Sequence, residues 1–119
     1  PELHYGRDAL VGIALFLSHL AKSRMKCTEL RRQYPSYFIS KNKIELKQGL
    51  NPDAVLERLK EKFSTEKINT IDGLRIDFAE GWVHMRKSNT EPIIRIYAEA
   101  QTAAKANELA QQIIKEATK

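Results

Sequence analysis

The sequence predicts an α+β fold over residues 36–119, a mainly antiparallel sheet packed by two helices on one side, preceded by a helical segment over residues 1–35. Three observations predict it. Short runs of alternating apolar and polar residues crowd the stretch from Ile68 to Ala100, and a period of two marks strands with one buried face. Turn dipeptides punctuate that stretch, Asp72-Gly73 above all, which is a strong hairpin signal between alternating runs. On either side lies a segment with helical spacing: Val55, Leu56, Leu59 and Phe63 before it, and Ala106, Leu109, Ala110, Ile113, Ile114 and Ala117 after it. Strands and helices grouped in this way make an α+β layer structure.

Taken in order, Asp8 is placed to cap a helix from Ala9 to about Ser23, because its carboxylate can accept from the first unpaired backbone N–H groups. Leu10, Ile13, Ala14 and Leu17 keep helical spacing, but Val11, Leu15 and Phe16 make the helix apolar on most sides. A helix of that kind needs cover on several faces. The chain therefore divides near Tyr34-Pro35, with residues 1–35 read as the C-terminal end of a truncated preceding domain. A short helix is expected from Thr28 to Arg32. The apolar run from Ala9 to Leu20 is too short to cross a bilayer, so no membrane role is expected.

The second unit opens with a strand over Tyr37–Lys47. Asn51-Pro52 then supplies a helix cap with proline at the first helical position, where its missing N–H costs nothing. Leu74, Ile76 and Phe78 alternate with Arg75 and Asp77, and Glu80-Gly81 is read as the next turn. Trp82–Lys87 and Ile93–Ala100 are the two following strands, and Thr102 caps the final helix.

Composition narrows the function classes. The chain has 119 residues, 42% hydrophobic and 29% charged, with a formal net charge of +5, as suits one globular domain. Its single cysteine, Cys27, cannot form an intrachain disulfide, and with no secretory leader visible the expected compartment is the cytoplasm. Up to Lys47 there are nine Lys or Arg against four Asp or Glu, and beyond it eleven of each. A basic N-terminal segment raises nucleic-acid binding as a rival reading. It lacks interleaved aromatics and matches no nucleic-acid motif, so a solvated face is the preferred account and no nucleic-acid partner is expected.

Metal and nucleophilic chemistry find little support. His4, His19 and His84 are widely separated and show no ligand spacing with Cys27 or an acidic pair. Ser88 has no nucleophile elbow and no histidine at motif spacing, so it is read as a hydrogen-bond donor. Trp82 is read as a packing residue, and Arg75 as the partner of an acid across the sheet.

The most informative segment joins the last two strands: Arg86-Lys87-Ser88-Asn89-Thr90-Glu91-Pro92, followed by Arg95. Arginine forks match a phosphate dianion in charge and shape. Ser88 and Thr90 add rotatable hydroxyl donors, and Asn89 stands where the turn is expected to need a left-handed residue, a conformation Asn tolerates. Arg86, Ser88, Asn89, Thr90 and Arg95 are thus the candidate phosphate-binding residues. Lys87 and Glu91 are set aside, Glu91 because an acid would repel the anion.

The run from Arg86 to Glu99 resembles the C-terminal phosphate-binding loop of the alpha-D-phosphohexomutases, which include phosphoglucomutases, phosphomannomutases and phosphoglucosamine mutases. Ile71–Phe78 with Gly81-Trp82 resembles the hairpin before that loop, and Gly6-Arg7-Asp8-Ala9 the start of the last helix of the preceding domain. The resemblance implies a TATA-binding-protein-like layout and a role in gripping the non-transferred phosphate of a hexose phosphate. It further implies that the remaining domains of the enzyme supply the phosphoserine and Mg2+, so that this chain alone is inactive. The Ser88-Asn89-Thr90 form is more similar to phosphomannomutase and phosphoglucomutase members than to phosphoglucosamine mutases, which usually carry glycine at the Asn89 position.

Overall fold

The computed structural model describes residues 8–45 and 51–119. They fall into two compact units, Pro1–Pro35 and Ser36–Lys119. The first contains helix α1, Ala9–Ser23, and helix α2, Cys27–Gln33. Asp8 Oδ1 accepts from Val11 N at 3.0 Å, and Arg24 closes α1 in the left-handed region at φ 54°. None of the α1 side chains is buried; Leu10 and Leu15 are 78% and 67% exposed. The α2 helix begins one residue before the expected Thr28, because Glu29 reaches back to Lys26 N at 2.9 Å and satisfies a free donor of the first turn.

The second unit is α+β, as its alternation predicted. Its elements are β1 (Phe38–Glu45), α3 (Pro52–Lys62), β2 (Lys67–Asn69), β3 (Leu74–Phe78), β4 (Gly81–Lys87), β5 (Ile93–Ala100) and α4 (Ala103–Ala117). The five strands form one antiparallel sheet in the order β1-β5-β4-β3-β2. Leu46 and Lys47, expected at the end of β1, lie outside the described residues. Asn51 caps α3, accepting from Asp53 N at 3.0 Å, with Pro52 at its first position. Thr102 caps α4, accepting from Lys105 N at 3.2 Å.

Alternation sorts the strands into two faces. Leu74, Ile76, Val83, Met85, Ile94, Ile96, Ala98 and Ala100 share one core with Val55, Leu59 and Phe63 of α3 and with Ala106, Leu109, Ala110, Ile113 and Ala117 of α4. Phe63 and Phe78 meet edge to face at 5.8 Å, a geometry favoured by the ring quadrupoles. The intervening residues Arg75, Asp77, Trp82, His84, Arg86, Arg95, Tyr97 and Glu99 take the opposite, open face. Burial of one face fixes the register, since a slip of one residue would exchange the two sets.

Glycine is required at two positions for different reasons. Gly73 has φ 75°, and a Cβ there would lie 2.3 Å from Met85 O. Gly81 is not the turn residue expected from Glu80-Gly81. The connection is the two-residue Ala79-Glu80, flanked by the pair Phe78 and Gly81. What Gly81 provides is clearance, since a Cβ there would meet Glu99 O at 2.1 Å. The two helices are tied at their ends. Arg58 Nη2 donates to the carbonyls of Glu116 and Ala117 at 3.2 and 3.0 Å, and Glu116 pairs with Lys62 and Lys119.

Two stability predictions follow from these contacts. Gly81→Ala should cost about 2 kcal/mol or more, in the range of overpacked sites; a near-neutral result in urea unfolding would mean that the strands do not approach so closely. The second concerns acid. Hydrogen bonds from Lys119 and then Lys62 pull the Glu116 carboxyl from 4.5 down to about 2. A depressed carboxylate stabilises the fold above its unfolded pKa and loses that contribution as pH falls through the folded value. The Tm advantage of the wild type over Glu116→Gln should hold near pH 6 and shrink between about 4.5 and about 2. An advantage unchanged over that window would remove Glu116 from this role.

Candidate phosphate site

The β4–β5 hairpin builds the site. Its register places Arg86 directly opposite Arg95, and both are exposed on the open face. Two cations at paired positions destabilise a sheet, and an anion between them would relieve that repulsion. Lys43 stands opposite Arg95 on its other side, which extends the positive row onto β1. Lys43 also pairs along its own strand with Glu45 at 3.2 Å.

The connecting loop is closed by Ser88 N donating to Ile93 O at 3.0 Å, leaving residues 89–92 as the tip. Ile93 N donates back to Glu91 O at 2.8 Å, so Pro92 occupies the centre of a three-residue turn that its fixed φ suits. The expected left-handed backbone at Asn89 is not found: among the described residues, positive φ occurs only at Arg24 and Gly73. A four-residue tip turns without it, so the Asn89 side chain, not its backbone, is what the loop presents. The Ser88 and Thr90 hydroxyls lie 3.4 Å apart, and Thr90 N points at Ser88 Oγ from 3.4 Å. Two hydroxyls at that spacing can serve one anion.

Beside the hairpin lies a cleft of about 470 Å³, lined by Arg86, Lys87 and Asn89 together with Thr70, Asp72 and Asp53, a volume within the range of small-molecule sites. The structure therefore brings Arg86 and Asn89 to one cleft. Arg95 lines a shallower neighbouring groove with Lys41, Lys43 and Tyr97. Ser88 and Thr90 sit on the loop that separates the two strands.

Three residues take parts that sequence reasoning did not give them. Lys87, set aside above, donates from Nζ to both carboxylate oxygens of Asp53 at 2.7 and 2.8 Å, which anchors the loop to the first turn of α3. Asp72, read only as a turn residue, pairs with Arg86 Nη1 at 3.2 Å. The register could have located it, since Gly73 falls opposite Arg86 once Leu74 is paired with Met85. Arg75 does not pair with an acid across the sheet. Its Nε donates to Asp77 Oδ1 at 2.7 Å along the same strand, and its guanidinium lies 4.6 Å from the Trp82 ring. Residues two apart share a face of a strand, so the nearest acid is reached without crossing. Trp82 thus carries the Arg75 guanidinium on its ring, and its Nε1 donates to Glu99 Oε1 at 2.9 Å.

Comparison with known proteins gives this chain a family. Residues 41–116 match the family described as phosphoglucomutase/phosphomannomutase, C-terminal domain. A phosphoglucosamine/phosphogalactosamine mutase of Sulfurisphaera tokodaii is 38% identical over 117 residues, 97% of this chain and 26% of that protein. A phosphoglucomutase/phosphomannomutase of Thermococcus kodakarensis is 37% identical over 110 residues, 91% of this chain and 24% of that one. A crystal structure of a phosphoglucomutase/phosphomannomutase family protein from Burkholderia thailandensis superposes with a TM-score of 0.53 at 25% identity, covering 75% of this chain and 19% of its own. The chain thus spans about a quarter of the length of the curated relatives it matches. With the matched segment running from β1 to the last turn of α4, this chain belongs to the phosphoglucomutase/phosphomannomutase family and carries that family's C-terminal domain.

Proposed function

We propose that this chain grips the non-reacting phosphate of a hexose phosphate for an enzyme that interconverts hexose 1-phosphate and hexose 6-phosphate. One observation carries the reading: Arg86 and Arg95 stand at paired positions on the open face, flanking a loop whose Ser88 and Thr90 hydroxyls converge to 3.4 Å. The arginines supply charge and paired N–H donors. Ser88 and Thr90 add hydroxyl donors, and Asn89 adds an amide at the mouth of the cleft. Fixing one end of the sugar turns binding energy into position at the other end. A phosphate held between domains also favours the closed arrangement of a mobile enzyme.

The phosphoryl transfer itself belongs to other parts of such an enzyme. Among the described residues no group of three or more His, Cys, Asp or Glu is placed to hold a metal ion. In this reading the Mg2+ implied by the family resemblance is held by another domain of the enzyme. The apolar, uncovered α1 fits the same proposal, in which the rest of the preceding domain packs over it. No described helix is long and apolar enough to cross a membrane.

The sugar is a finer question. Asn89 favours a phosphomannomutase or phosphoglucomutase reading. Several relatives are named for glucosamine, including a probable phosphoglucosamine mutase of Methanopyrus kandleri at 33% identity and the Sulfurisphaera tokodaii protein, which is named for galactosamine as well. We rank glucosamine phosphate first and mannose and glucose phosphates second. Relative kcat/KM for the three 1-phosphates, measured in the whole enzyme, decides the order.

In that enzyme, Arg86→Ala should lower kcat/KM about 100-fold, as for loss of a charged hydrogen-bond partner. Unchanged kinetics would remove Arg86 from the site. The 119-residue chain alone should bind hexose phosphates only in about the millimolar range, with amide NMR shifts centred on residues 86–95. Shifts produced instead by an oligonucleotide, steeply weakened by salt, would favour the nucleic-acid reading.

A further inference from the structure

We propose that Asp72 is a charge-selecting residue of the phosphate site: its carboxylate pairs with Arg86, must be displaced by an entering anion, and yields more readily to a dianion than to a monoanion. The inference rests on the phosphate-grip reading and adds to it what the site rejects.

The position of Asp72 is imposed by its neighbours. Gly73 is held at φ 75° and packs so closely that a Cβ would lie 2.3 Å from Met85 O and 3.3 Å from Arg86 Cα. The Asp72 carbonyl accepts from His84 Nε2 at 2.5 Å. The turn is thereby fastened to β4 at two successive open-face residues, His84 and Arg86, and its carboxylate is held beside the guanidinium. The pair itself is weak. It uses one nitrogen, Nη1, at 3.2 Å, longer than the usual 2.7–2.9 Å of a charge-assisted bond (roughly). Both side chains are more than half exposed, at 58% and 60%, so the contact is worth at most about a few-fold in an equilibrium.

Charge counting then sets the selectivity. Arg86 and Arg95 face each other as like charges, and Asp72 neutralises only Arg86. A monoanion that displaces Asp72 exchanges one negative charge for another and gains nothing to offset its own desolvation. A phosphate dianion brings two charges to two guanidinium groups, and it releases Asp72 to solvent at small cost. Carboxylated sugars and metabolites are disfavoured by this balance, by about a few-fold, relative to phosphate esters.

The test is an amide NMR titration of the 119-residue chain with inorganic phosphate at about pH 8, and separately with acetate at matched ionic strength. The wild type should respond to phosphate at residues 86–95 and little to acetate. Asp72→Asn, which keeps a residue suited to the turn, should bind phosphate about three-fold more tightly and acquire an acetate response at Arg86 and Asn89. Asp72→Ser should do the same, with unchanged shifts over residues 94–114 reporting an intact fold in both. Tighter binding is a readout that mere structural damage would not produce. Phosphate affinity unchanged or weakened in a folded Asp72→Asn overturns the proposal, as does an equal gain in Glu108→Gln, where the lost charge pairs with Lys105 on α4. A wild type whose residues 86–95 ignore phosphate would instead bring down the phosphate-grip reading itself.

Discussion

The β4–β5 register is the constraint on which the rest of this domain depends. Ile94, Ile96 and Ala98 face the helices because Arg95 and Tyr97 do not, and the same parity puts Met85 in the core and Arg86 outside it. Shifting either strand by one residue would bury a guanidinium and expose fully buried side chains, Val83 and Met85 on β4 or Ile94 and Ile96 on β5. The first is far costlier than any single packing defect, because a buried charge without a partner is strongly disfavoured. Arginines that carry the proposed function therefore also help to define the fold, by making the wrong register unacceptable.

That register leaves a local conflict in place. Arg86, Arg95 and Lys43 stand in a row across three strands, and neighbouring strands are only about 4.8 Å apart. Elsewhere on the open face, charge is settled locally: Arg75 has Asp77 and the Trp82 ring, while Lys41 lies 6.0 Å from the Tyr97 ring. Around the loop Lys87 is held closely by Asp53, but the Arg86–Asp72 and Lys43–Glu45 pairs are longer, at 3.2 Å. Unsettled charge beside a loop with convergent hydroxyls is how a protein prepares to bind an anion, at some expense of its own stability.

Rigidity at the site comes from outside it. Lys87 fastens the loop to α3 through Asp53, and Gly73 presses the neighbouring turn against Met85 and Arg86. Beneath both, Val83, Met85, Ile94 and Ile96 are essentially inaccessible, so the two strands that carry the arginines lie on closely packed side chains. A polar site on such a base keeps its geometry without needing hydrogen bonds to every group.

Much of this was legible in the residues. Caps at Asp8, Asn51 and Thr102, the alternation of Leu74–Phe78 and the face of α4 all follow from local rules, because helix caps and strand parity depend on neighbours a few positions away. The same rules made Arg86, Ser88, Asn89, Thr90 and Arg95 a candidate cluster, since four of the five lie within five positions. Local rules failed where a partner came from elsewhere in the chain. Gly81 looked like a turn glycine, yet it is needed for clearance from Glu99 on the strand beside it. The left-handed turn expected at Asn89 was unnecessary, because the loop length that settles it depends on which residues of β4 and β5 pair. The ties of Asp72 to Arg86 and of Lys87 to Asp53 join residues brought together only by the sheet order and the placement of α3. By itself, then, the sequence determined which residues turn inward and which are candidates for anion chemistry, since both depend on residue type and short-range period. Which arginine faces which, and which acid stands beside it, was decided by the tertiary structure, because strand pairing alone makes distant positions neighbours.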